Sequence, residues 1–209
     1  MNCLSVAIQA GGGSKRMGFN KALMSFLGEP LITRISRLLS PISDDLFIIT
    51  QEPDAYQHLG LRTISDEVPN MGAIGGLQTA MSQARCDYVA VVACDMPFVN
   101  PDILQYCREI LVDHNADVAI PLTMDGYEPL HAVYRKATCL PAIKDAMNAG
   151  QKRLISWLSE VKVEESKEEK LRLLDPDELA FINTNTIDDF LLAVEIAKQH
   201  PEKLPPNFD

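Results

Sequence analysis

The sequence predicts a three-layer α/β fold, a mostly parallel sheet with helices on both faces. Two observations carry this. Strand-like apolar runs alternate with amphipathic segments long enough to be helices, the pattern of βαβ units. Residues 88–94, Tyr-Val-Ala-Val-Val-Ala-Cys, are apolar without alternation, which marks a strand covered on both faces. With 209 residues, the chain is long enough for one sizeable domain and cramped for two.

The elements follow in order. Leu4–Gln9 reads as a short buried strand that runs into a glycine loop. Pro30 opens a helix with Leu31, Ile35, Leu38 and Leu39 on one face. Residues 46–50 and 62–65 are short strands. Ala73, Leu77, Ala80, Met81 and Ala84 line one face of the next helix. After the strand at 88–94, a helix is expected over 101–114 and a strand over 117–121. The pattern then blurs: a strand at 130–134, a helix at 137–149 and a short strand at 161–164. Residues 166–172, rich in Lys and Glu, read as a solvated surface segment. Thr186, with Asp189 three residues on, resembles a capping box for a last helix reaching about residue 200. A single domain over 1–200 is expected. The tail 201–209 contains three prolines and reads as loose.

Composition is that of a globular protein, 46% hydrophobic and 23% charged. No apolar run is long enough to cross a bilayer. The start Met1-Asn2-Cys3-Leu4 has no basic n-region or cleavable apolar segment, so cytoplasm is the expected compartment. The five cysteines are scattered with no Cys-x-x-Cys spacing. That argues against a zinc cluster or a disulfide framework and fits a reducing compartment. Cys94, in a very apolar stretch, reads as a small buried hydrophobe. A net charge of −10 disfavours binding to nucleic acid or an anionic membrane. An anionic small substrate remains compatible, because screening lets a local basic cluster outweigh the global charge.

Open α/β sheets bind ligands beyond the carboxyl ends of their strands, so the informative loops begin at Gln9, Thr50, Ser65 and Cys94. The first reads Ala10-Gly11-Gly12-Gly13-Ser14-Lys15-Arg16-Met17-Gly18. Successive glycines let backbone amides approach phosphate oxygens. The spacing is neither a Walker A loop, because Phe19-Asn20 follow Gly18, nor a dinucleotide fingerprint, because Arg16 stands where the third glycine belongs. Lys15, Arg16 and Lys21 supply cations suited to a triphosphate; the alternative is a tight turn with surface cations.

Asp95 follows the buried strand and is placed to hold Mg²⁺ beside bound phosphates, or to act as a turn or cap residue. Asp66 begins a second glycine-containing loop, Ser65 to Gly76, shaped for a ligand or for ordinary turns. His131, alone in an apolar strand, is either functional or a satisfied structural residue. Asn183 and Asn185 precede the last helix as ligand contacts or caps. There is no nucleophilic triad.

Together these segments resemble the molybdenum cofactor guanylyltransferase family. The first motif runs from Gln9 through Ala10-Gly11-Gly12 to Arg16-Met17-Gly18 and Asn20-Lys21. The Asp66 loop, Val92-Ala93-Cys94-Asp95-Met96-Pro97, Pro129-Leu130-His131 and Phe181-Ile182-Asn183-Thr184-Asn185-Thr186 match the same family. The resemblance covers residues 4 to 195 and implies a Rossmann-like nucleotidyltransferase fold.

It also implies an activity: transfer of GMP from GTP to the terminal phosphate of molybdopterin, with release of pyrophosphate. The implied nucleotide-binding residues are Gln9, Ala10, Gly11, Gly12, Lys21, Thr50, Asp66 and Asp95. Asp95 would hold Mg²⁺, and Arg16, Lys21 and Asp95 would be catalytic. His131, Asn183 and Asn185 fall to the pterin side. GTP, the molybdopterin cofactor and molybdoenzyme-maturation proteins are the implied partners. The competing readings are a cytidylyltransferase using CTP on the same pterin and a non-catalytic nucleotide-binding adaptor that delivers cofactor. Three departures from the family pattern stand out: Gln9 for Leu, Asn20 for Asp before Lys21, and Asn70-Met71-Gly72-Ala73-Ile74-Gly75-Gly76 for a Gly-Pro-rich loop.

Overall fold

The computed structural model describes residues 3–11, 20–68 and 70–199. The readings on Gly12, Lys15, Arg16 and the tail 201–209 lie outside these residues. The elements are β1 (Leu4–Gln9), β2 (Ser25–Phe26), β3 (Glu29–Pro30), α1 (Leu31–Leu39), β4 (Asp45–Ile49), β5 (Arg62–Ile64), α2 (Ala73–Gln83) and β6 (Tyr88–Ala93). Then come α3 (Pro101–Asp113), β7 (Val118–Thr123), β8 (Gly126–Tyr127), β9 (His131–Arg135), α4 (Lys136–Asn148), β10 (Val163–Ser166), α5 (Glu168–Leu174) and α6 (Ile187–Gln199).

The main sheet has the order β10-β7-β9-β6-β1-β4-β5, with β8 attached to β7. β1 runs parallel to β4 and β6, β4 to β5, and β7 to β10. β9 is antiparallel to both β6 and β7. Six strands therefore end at one edge, and β9 starts there.

Side-chain alternation along β1 sets the layers. Leu4, Val6 and Ile8 face a cluster with α1, α3, α5 and α6, including Leu31, Ile35, Leu104, Leu171 and Phe190. Ala7 faces the opposite cluster, with Ile74, Leu77 and Met81 of α2 and Ile143 of α4. Both faces are covered, which is why β6 needs no polar alternation. The capping box forms: the Thr186 N–H donates to Asp189 Oδ2 at 2.7 Å, and the Asp189 N–H to Thr186 Oγ1 at 3.0 Å.

Two expectations are corrected. Residues 166–172 are not merely a solvated segment: they span the end of β10 and most of α5, and Leu171 is part of the core. Their charged side chains are exposed, as expected, and Leu171 is the residue of α5 that is buried. The scattered cysteines do not exclude a disulfide, since Cys3 and Cys86 are bonded to each other, with Cα atoms 5.2 Å apart. Parallel pairing causes this: Leu4 lies opposite Tyr88, so the residues just before the two strands meet despite 83 positions of separation. Cys94, Cys107 and Cys139 are free. Among the described residues no helix is long and apolar enough to cross a membrane.

Candidate active site

The carboxyl edge gathers the expected segments. At the end of β1, the Ala10 N–H donates to the Ile49 carbonyl at 2.8 Å, and the Gln9 carbonyl accepts from the Cys94 N–H at 3.0 Å. These bonds fix the entry to the glycine loop between β4 and β6. Gly11 runs beside Thr50, whose Cα would lie 3.9 Å from a Cβ at Gly11. Thr50 is buried, its N–H donates to Ile64 and its Oγ1 accepts from the Glu52 N–H. Those bonds make it part of the wall.

The Asp66 loop is clamped onto α2. Thr79, fully buried, donates from Oγ1 to Asp66 Oδ1 at 3.1 Å and accepts from the Glu67 N–H at 3.0 Å. The Glu67 carboxylate accepts from Gln78, Ser82 and Gln83. Burial raises its pKa, but these three hydrogen bonds outweigh that and hold the carboxyl below its usual range. Gly72, at φ +68°, leads into α2 and makes no side-chain cap bond. A Cβ at Gly75 would lie 3.2 Å from Asp66 Oδ2, and one at Gly76 would lie 2.7 Å from Gln9 Oε1. The two glycines thus let Asp66 and Gln9 lie directly on the helix.

Across the edge, Lys21, Asp95 and Asn185 converge. The Lys21 ammonium donates to the Asn185 carbonyl. Thr184, fully buried, donates both its N–H and its Oγ1–H to the Asp95 carbonyl, at 2.8 and 3.1 Å. The Asp95 Oδ1 is buried and has no protein partner. Burial raises the Asp95 pKa, and the nearby Lys21 charge opposes the rise. A buried carboxylate oxygen held open beside a cation is able to receive a metal ion or a ligand donor. Arg34 of α1 braces the following loop by donating from Nε to the Pro97 carbonyl at 3.1 Å.

Asn20, where the family pattern has Asp, bonds to the hydroxyl of buried Tyr56 at 2.9 Å. Cys94 packs against the core with part of the residue exposed; its thiol is shielded from solvent, which pushes it up to about 12, so it stays protonated. Asn183 is exposed and donates to the Phe181 carbonyl at 3.1 Å.

His131 has no exposed surface. Its Nε2 faces the Asn100 carbonyl at 3.2 Å and its ring stands edge-on to Phe181. Burial lowers its pKa to about 4. Phe181 and Ile182 in turn wall a cleft of 720 Å³ with Leu122, Met124, Glu128 and Glu165. This cleft lies beyond the carboxyl ends of β7 and β10, on the same edge as Asp95.

Thr79, Glu67, Thr184 and Arg34 were not singled out from sequence. A helix-interior Thr and a conventional Arg on an amphipathic helix give no local signal. Thr184 alone had one, its place inside the Phe181–Thr186 motif.

This strand order and ligand edge fit a nucleotidyltransferase, and the family comparison assigns the chain to that class. The chain belongs to the family described as the MobA-like NTP transferase domain, which matches residues 6–164. It is 32% identical over 186 residues to "Molybdenum cofactor guanylyltransferase" of Syntrophotalea carbinolica, covering 89% of this chain and 88% of that protein. It is 35% identical over 191 residues to "Probable molybdenum cofactor guanylyltransferase" of Pelotomaculum thermopropionicum, covering 91% and 92%. The crystal structure of "Molybdopterin-guanine dinucleotide biosynthesis protein A" from Archaeoglobus fulgidus superposes with a TM-score of 0.80 at 28% identity, covering 93% of this chain and 99% of that one.

Proposed function

We propose that this protein transfers GMP from GTP to the terminal phosphate of molybdopterin, giving the guanine dinucleotide form of the cofactor and pyrophosphate. The observation that carries this reading is the meeting of Lys21, Asp95 and Asn185, drawn from three remote segments onto the carboxyl edge of a nucleotidyltransferase sheet. The relatives' names support the choice of GTP and the pterin.

An oxygen of the acceptor phosphate attacks the α-phosphorus of GTP, and the bond from that phosphorus to the oxygen bridging to the β-phosphate breaks. No base is required, because a phosphate monoester with a second pKa of about 6 is already largely dianionic at neutral pH. The protein's task is alignment and charge stabilisation. Lys21 stabilises charge gathering at the α-phosphate. Arg16 steadies the departing pyrophosphate. The backbone of Ala10, Gly11 and Gly12 frames the base, and Asp66 and Thr50 hold the nucleoside side.

The open Oδ1 of Asp95 fits Mg²⁺, which takes one or two protein carboxylates and completes its shell with phosphate oxygens and water. Bound there, the ion supplies Lewis-acid neutralisation of the phosphates.

The acceptor's ring system occupies the 720 Å³ cleft. From Ile182 in its wall to Asn185 at Lys21 is three residues, at most about 10 Å of extended chain. The Glu128 and Glu165 carboxylates suit the N–H-rich edge of a pterin, while the acceptor phosphate lies toward Lys21. Asn185 and Asn183 flank the passage, and His131 backs Phe181 from behind. Molybdoenzyme-maturation proteins receive the product.

The test is pyrophosphate release by purified protein given Mg²⁺, GTP and the pterin. Release should require both substrates and fall by orders of magnitude in Asp95→Ala with the fold retained. Near-wild-type turnover in that variant removes the Asp95 assignment.

A further inference from the structure

The end of β1 carries a polar group that the reaction described so far does not use. Gln9 is only 8% exposed, and its side-chain nitrogen Nε2 is buried with no acceptor. An amide donor left dry and unpaired is destabilising, and such groups in native proteins call for an explanation. Leu, the usual family residue at this position, would avoid that cost.

The surroundings are shaped to keep the amide where it is. Its Oε1, Cδ and Nε2 would lie 2.7, 2.8 and 3.2 Å from a Cβ at Gly76, so only glycine there lets the carboxamide lie flat on α2. The neighbouring Gly75 gives the same room to Asp66. The Gln9 backbone carbonyl is already taken by the Cys94 N–H. The group left without a partner at this position is therefore the side-chain amide, which lies against the first turn of α2.

We propose that the Gln9 carboxamide contacts the guanine base, Nε2 donating to O6 and Oε1 accepting from N1–H. This rests on the GTP reading above and adds a side-chain contact to a base otherwise framed by backbone. A carboxamide presents a donor and an acceptor side by side, and the O6/N1–H edge of guanine presents the complement. Gly76 is then a positioning residue: its missing Cβ sets the amide's place.

The test measures dissociation constants for GTP and for 2-aminopurine riboside triphosphate, which lacks O6 and N1–H, in the Mg²⁺-containing intact protein. Wild type should favour GTP by about tenfold or more, the value of one such hydrogen-bonded pair. Gln9→Leu should close that gap to roughly equal binding while melting no lower than wild type, since a buried unpaired amide has been removed. Gly76→Ala, which displaces the amide but favours the helix, should close it too, and stands in if Gln9→Leu does not fold. A gap that persists in the folded variant overturns the inference and leaves the GTP reading intact. Wild-type protein that binds neither nucleotide removes both.

Discussion

The Lys21 ammonium donates to the backbone carbonyl of Asn185, 164 positions further along the chain. Beside it, the Asp95 carbonyl holds Thr184 through two hydrogen bonds. One short loop is thus tied to both Lys21 and Asp95, and its preceding residues, Phe181 and Ile182, wall the adjoining cleft.

Replacing Lys21 with Met should leave that loop docked, because the Thr184 bonds remain. Product formation should fall about 10²- to 10³-fold, the usual cost of removing a preorganised electrostatic contact, with the circular dichroism spectrum unchanged. A rate within a few-fold of wild type in steady-state assays would show that Lys21 acts only on the loop.

Thr79→Val removes the hydroxyl that joins Asp66 to the Glu67 N–H while keeping the side chain's volume. Stability should drop by about 1 kcal/mol, since the Glu67 N–H loses its acceptor and Asp66 a donor. The KM for GTP should rise several-fold, with kcat nearly constant. Unchanged KM alongside the lost stability would separate Asp66 from nucleotide binding.

His131 should make the fold acid-sensitive. Its folded pKa, lowered by burial to about 4, lies below the ordinary 6.5, so the unfolded chain binds more protons between those values. The stability it contributes is complete above pH 6.5 and is lost as pH falls from 6.5 toward 4, by about 3 kcal/mol in all. Denaturant melts of His131→Phe should show a flatter pH dependence in that window. Asp45 acts lower down. Burial raises its pKa, but bonds from Ser5, the Arg85 N–H and Arg62 outweigh that, so it stays below its ordinary 3.8. Its contribution is present above 3.8 and is lost as pH falls through the folded value, so the Asp45→Asn effect should fade only at the acid end.

The Cys3–Cys86 bond lies at the edge opposite the site. Reduction, or the double change to Ser, should cost about 2–4 kcal/mol of stability without altering turnover. Thermal melts with and without reductant check this, and equal melting temperatures would mean that the bond does not form in solution.

Much of this arrangement is legible in the sequence. The strand–helix alternation, the unalternating run ending at Cys94 and the glycines after Gln9 suffice to predict the sheet and its ligand edge. Asp95 is visible as a charge following a strand end, and Lys21 as a cation just after the glycine loop. Contacts set by topology are not visible: Cys3 meets Cys86 only because β1 and β6 are parallel neighbours, and Thr79 reaches Asp66 only because the loop folds back on α2. Nor does local pattern reveal that the charged stretch at 166–172 carries Leu171 into the core. Gln9 is intermediate. Its departure from the family pattern is plain in the sequence, but its relation to Gly76 requires the coordinates.

The most direct test of guanylyl transfer is to incubate the protein with Mg²⁺ and the pterin together with GTP or CTP, then identify the product by mass. Guanylyl transfer predicts the guanine dinucleotide with one pyrophosphate released per product. A cytosine dinucleotide in its place, or no pyrophosphate with either nucleotide, would contradict it.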